Sequence, residues 1–86
     1  MQPVAPQWFK LRQGKLEPAG TDTYRLTAPQ QQEAFISVYQ AENGRWSASF
    51  RMTADGPAVA QTEPVLENAG DAWQAAFELY REHVII

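Results

Sequence analysis

The sequence predicts an α+β fold, an antiparallel β-sheet of three to five strands packed against one C-terminal α-helix, and three observations point to it. Short segments that alternate apolar and polar residues recur between residues 8 and 66. Two of them flank Glu42-Asn43-Gly44-Arg45, a dipeptide and setting suited to a tight hairpin. Asn68 then precedes the one long stretch with helical periodicity.

Residues 1–7 carry Pro3 and Pro6 with little to bury and are expected to form a flexible N-terminus, leaving 8–86 as a single domain. From 8 to 13, Phe9 and Leu11 alternate with Trp8, Lys10 and Arg12, a strand signal that ends at Gly14 and that Leu16 extends. Pro18, Gly20 and Asp22 mark a turn, and residues 23–27 alternate again around Tyr24 and Leu26, so a first hairpin is expected. Ala28 to Gln32 is a polar connection. The second hairpin spans 34–52, and its return strand sets Trp46, Ala48, Phe50 and Met52 against Arg45, Ser47, Ser49 and Arg51, as in a sheet wetted on one side. Asp55-Gly56-Pro57 makes the next turn. The run from 58 to 66 contains Pro64, whose missing N–H places it at the sheet's edge. The helix is expected over about 69–83, with Asp71 in its first turn. Ala72, Trp73, Ala76, Phe77, Tyr80 and His83 fall on its apolar arc, and Gln74, Glu78, Arg81 and Glu82 fall opposite.

A chain of 86 residues holds one core and has a thin stability margin. Without cysteine it has no disulfide or thiolate metal site, so four phenylalanines, three tyrosines and three tryptophans carry much of the packing. The net charge of −3 gives no basic footprint for nucleic acid or an anionic membrane, and no apolar run is long enough to span one. A cytoplasmic location is expected.

The residue types that carry chemistry are sparse. His83 is the lone histidine, without the second histidine or cysteine that a transition-metal site needs, and no metal or other cofactor is expected. Ser37, Ser47 and Ser49 lie outside any nucleophile elbow. The ten carboxylates are scattered as on an acidic surface, and the glycines form no phosphate-binding pattern. The sequence therefore predicts a protein that is not an enzyme.

Gly44-Arg45-Trp46-Ser47-Ala48-Ser49-Phe50-Arg51, an edge strand, and Asp71-Ala72-Trp73-Gln74-Ala75-Ala76-Phe77 together resemble the three-strand-plus-helix DNA-binding domains of plant ethylene-response factors and phage integrase N-termini. The resemblance covers roughly residues 36–81 and implies DNA contacts by Arg45, Trp46 and Arg51. Where those domains tend to place arginines on the preceding strand, this chain has Ile36, Ser37, Val38 and Tyr39.

Two functions are weighed. The leading expectation is a small non-catalytic interaction module, an accessory protein of a bacterium or phage, that binds a protein partner or a second copy of itself through the sheet. The alternative is a nucleic-acid-binding domain using Arg45, Ser47, Ser49 and Arg51, with Lys10, Arg12 and Arg25 nearby; it ranks second because phosphate contacts dominate nucleic-acid affinity and the chain is acidic. The expected interaction face follows from the turn. A two-residue Asn43-Gly44 loop pairs Glu42 with Arg45 and turns Ile36 and Val38 outward beside Arg45, Ser47, Ser49 and Arg51. A three-residue loop with Gly44 as a bulge instead turns Ile36 and Val38 inward against Phe50 and Ala48, and Phe35 and Tyr39 outward. In both registers the outer face carries apolar atoms, so either the N-terminal half covers it or it serves as an interface.

Overall fold

A computed structural model of the chain describes residues 3–85. Met1, Gln2 and Ile86 lie outside the described residues, and with them the outermost ends of the 1–7 segment and of the 8–86 domain. The chain runs α1 (Gln7–Leu11), β1 (Lys15–Gly20), β2 (Thr23–Thr27), β3 (Ala34–Gln40), β4 (Trp46–Arg51), β5 (Ala60–Gln61) and α2 (Ala69–Tyr80), closing on a π-helical turn at Arg81–Ile85. The five strands pair antiparallel in chain order, a meander into which the first hairpin is fully incorporated. This is the expected α+β fold, with α2 laid over β3 and β4.

The first strand is corrected. Residues 8–13 are not extended; they form α1 and its exit turn, and β1 begins at Lys15. Five residues sample too little chain to separate a period of two from one of 3.6, and packing decides. Pro6 is extended at the N-cap, and its carbonyl accepts from the N–H groups of Phe9 and Lys10. The helix ends in a Schellman arrangement: the Gly14 N–H donates to the Phe9 carbonyl and the Gln13 N–H to that of Lys10, with Gln13 at φ 60°. The turn lays the Phe9 ring on Gly14, where a β-carbon would overlap the ring carbons, so only glycine fits. Phe9 is buried while Leu11 is exposed, the reverse of the shared face that strand alternation implied.

Ala34, Ile36, Val38, Ala48 and Phe50 supply the sheet's half of the core, and Ala72, Trp73, Ala76, Phe77 and Tyr80 supply the helix's half. The alanines bring the backbones close, and the aromatic rings interlock around Phe9: its centroid is 5.4 Å from Phe77 and 5.8 Å from Tyr80. Trp8 stacks on Tyr80 at 6.3 Å, and Tyr24 meets Trp73 edge-on at 5.5 Å. Within the segment expected to be flexible, Pro3 is buried and Ala5 packs against this core. Asn68 caps α2, its Oδ1 accepting from the Asp71 N–H at 2.8 Å. His83 lies off the buried arc, exposed, with its ring stacked on Phe50 at 5.3 Å and Nδ1 2.8 Å from the Leu79 carbonyl.

Tyr80 is fully buried and its hydroxyl has no hydrogen-bond partner among the described residues. Burial raises its phenol above the ordinary value of 10.0, with the Arg12 guanidinium partly offsetting the effect. An unanswered buried hydroxyl costs about 1 to 3 kcal/mol, so Tyr80→Phe should leave thermal stability at pH 7 unchanged or higher. As pH rises past 10 the unfolded chain ionises first while the folded chain keeps the proton, so stability drains away toward the folded pKa. Tyr80→Phe should remove that part of the alkaline loss. Melting curves at pH 7 and across the alkaline range check both, and a lower melting temperature for the variant at pH 7 would show that the hydroxyl is bonded.

Candidate interaction face

The turn between β3 and β4 sets which residues face away from α2. The Gly44 N–H donates to the Ala41 carbonyl and the Ala41 N–H to that of Arg45, while only Gly44 takes a positive φ, 83°. This is the three-residue loop with a glycine bulge, stabilised by Asn43 Oδ1 accepting from the Arg45 N–H at 2.8 Å. Ile36 therefore pairs with Phe50 and Val38 with Ala48. Both are buried beneath α2, at 0% and 4% exposure, and leave the interaction face that the two-residue turn assigned them.

Of the other expected face residues, Arg45 is exposed at the loop's end, outside β4. Ser47 points away from the helix but is buried, its hydroxyl donating to the Thr62 carbonyl at 2.8 Å. Ser49 is half-buried and its hydroxyl bonds that of Ser37 at 2.8 Å. Arg51 is half-buried and lies opposite Phe35. The three residues singled out by the resemblance do not share a surface, since Trp46 pairs with Gln40 and packs toward the core on the helix side. Lys10 and Arg12 belong to α1 and its exit and lie outside the sheet, whereas Arg25 does join the helix-free face.

Strand register orders that face into rows. Glu17, Arg25, Phe35 and Arg51 lie opposite one another across β1 to β4, and Thr23, Ser37, Ser49 and Gln61 form the neighbouring row across β2 to β5. Tyr39 and Ser47 follow, with the Tyr39 hydroxyl accepting from Gln61 Nε2 at 3.1 Å. Phe35 is only 7% exposed although no helix covers it, because its cross-strand neighbours are two arginines whose aliphatic stems shield the ring. Tyr39 is 45% exposed. Arg25 is matched by two carboxylates, Glu17 at 2.7 Å and Glu33 at 3.5 Å. Arg51 makes no ion pair among the described residues, and its Nε is buried without a hydrogen-bond partner.

The sheet's two edges are blunted against an added strand. β1 carries Pro18, which brings no N–H, and a register shift between Pro18 and Gly20. The other edge of β4 is taken by the chain after it: Val59 and Thr62 donate to the Phe50 and Ala48 carbonyls, and Trp46 exchanges two hydrogen bonds with Leu66 around the kink at Pro64. The face opposite α2 presents side chains to solvent. Phe35, Tyr39, Thr23 and Gln61 were not assigned to it by the two-residue turn; the signal for the first two was Gly44 as a bulge.

The serine hydroxyls bond each other or a carbonyl, and the His83 ring lies on Phe50, which faces α2 while Ser37 and Ser49 face away. Among the described residues no three histidine, aspartate or glutamate side chains converge as for a metal ion, and no helix is long and apolar enough to cross a membrane. Compared with protein-family models, curated proteins and solved structures, the chain matches none, so its function rests on its own residues.

Proposed function

We propose that the chain is a non-catalytic interaction module of the cytoplasm that binds a protein partner through the helix-free face of its sheet. The observation that carries this reading is the one-sidedness of the packing: α1, α2 and the large rings of the core all lie on one side, and the opposite side presents Tyr39 and Arg51 among small hydroxyl and amide side chains. Tyrosine and arginine are enriched among residues that dominate binding energy at interfaces, and a hydrogen-bonded polar surround suits the rim.

The occupant is a segment of another protein in preference to a second copy. Four strands of five to seven residues and the two-residue β5, about 4.8 Å apart, offer a face of roughly 400 Å², about half of the ~800 Å² per partner that a stable interface between globular proteins buries. Duplex DNA is disfavoured by the net charge of −3 and by the single unmatched arginine in the Arg25, Phe35, Arg51 row. Sedimentation at several concentrations should therefore give a monomer mass throughout, and fluorescence anisotropy should detect no duplex DNA binding at physiological salt. A mass that doubles with concentration would point to self-association through this face; DNA binding that weakens steeply with salt and is lost on changing Arg45 and Arg51 to alanine would establish the nucleic-acid reading.

A further inference from the structure

The two arginines that flank Phe35 occupy equivalent places on β2 and β4, yet only one has its charge answered within the chain. Arg25 meets Glu17 and Glu33, whereas Arg51 has no carboxylate within ion-pair distance among the described residues; the Nε of each is buried without a hydrogen-bond partner, so the difference lies in the counter-charge. A guanidinium held partly out of water without a counter-charge is electrostatically incomplete, and a carboxylate supplied from outside gains more there than at a fully solvated arginine. Beside it lie the Ser37–Ser49 hydroxyl pair, the Gln61 amide and the Tyr39 ring, which offer hydrogen bonds and an apolar surface to the rest of a bound chain.

We infer that this face takes an acidic, partly apolar segment of a partner protein, with one carboxylate docked on Arg51 and an apolar side chain against Tyr39; this rests on the helix-free face being the binding surface. The segment lies across the side chains and does not extend the sheet, because Pro18 with its register shift and the 59–66 segment blunt the edges. Arg51, the one arginine of its row without an ion pair among the described residues, fits one or two carboxylates, whereas a nucleic-acid strand presents a phosphate at every nucleotide and gains its affinity from many neutralised charges. That asymmetry favours the peptide.

The test is an amide-resolved NMR titration of the full chain with three probes: a twelve-residue peptide alternating glutamate with leucine or tyrosine, the same peptide with lysine for glutamate, and single-stranded DNA. The acidic peptide is expected to bind saturably and shift amides in 23–25, 35–39 and 49–51. Arg51→Gln, with its melting temperature unchanged, should weaken it about tenfold, while Arg81→Gln on the helix side should not. Equal affinity for Arg51→Gln and the native chain, or tighter binding of the lysine peptide at the same amides, overturns the acidic partner but leaves the face as the binding surface. Tighter binding of the DNA at those amides overturns it in favour of nucleic acid. Residues 3–6 and α2 also form a groove, lined by Val4, Pro6, Trp8, Trp73 and Gln74; shifts confined to it, or no shift with any probe, overturn the inference and the reading it rests on.

Discussion

Replacing Phe77 with alanine should cost about 3 to 5 kcal/mol, the usual penalty for deleting a buried aromatic ring. The ring is 2% exposed and joins two parts of the molecule, since Phe9 and Trp8 of α1 both pack on it, at 5.4 and 6.5 Å between centroids. Its loss opens a cavity beneath α1 and leaves Tyr80 as the other α2 ring on which Phe9 and Trp8 rest. A domain of this size sits toward the lower end of the typical range of ~5 to 15 kcal/mol, so the variant should be largely unfolded near room temperature. Gln74, three residues earlier and exposed, should tolerate alanine to within about 0.5 kcal/mol. Urea denaturation of the two variants checks the assignment, and equal losses would show that α2 presents a different face.

Much of this architecture is legible in the sequence, and where it is not, the reason is local. Residues 69–80 repeat their apolar positions over three turns, long enough for the helical period to stand out, and Asn68 marks their start. The hairpin is announced by Asn43-Gly44, and Pro64 places the last strand at an edge. Residues 8–13 read as a strand because a single helical turn carries no periodicity; Pro6 and Gly14, which bracket the helix, are the better guide. Gly14 stands one place beyond the left-handed residue, which is Gln13, so the usual glycine signal at a helix end is displaced.

The face opposite α2 is ambiguous in the sequence for a different reason. β3 reads Ala-Phe-Ile-Ser-Val-Tyr, with aliphatic residues on one face and aromatic residues on the other, so apolar alternation selects neither. The register turns on whether Gly44 closes a two-residue or a three-residue loop, and Asn-Gly is compatible with both. The side chains themselves resolve it: Phe35 is sheltered by two arginine stems and Tyr39 ends in a hydroxyl bonded to Gln61, whereas Ile36 and Val38 have nothing polar to offer solvent.

That register is the foundation of the functional reading, because it alone brings Tyr39 to the surface beside Arg51 and puts Val38 in the core. Val38→Asp places an unpaired carboxylate between the sheet and α2 and should cost upwards of about 4 kcal/mol. Tyr39→Asp, one residue along, loses an exposed hydrogen bond and some strand preference, about 1 kcal/mol, and the domain should stay folded. The most direct test is the pair of urea midpoints for these two neighbours. An unfolded Val38→Asp beside a near-native Tyr39→Asp is the expected result, and a tolerated Val38→Asp beside an unfolded Tyr39→Asp would place the binding face on the wrong side of the sheet.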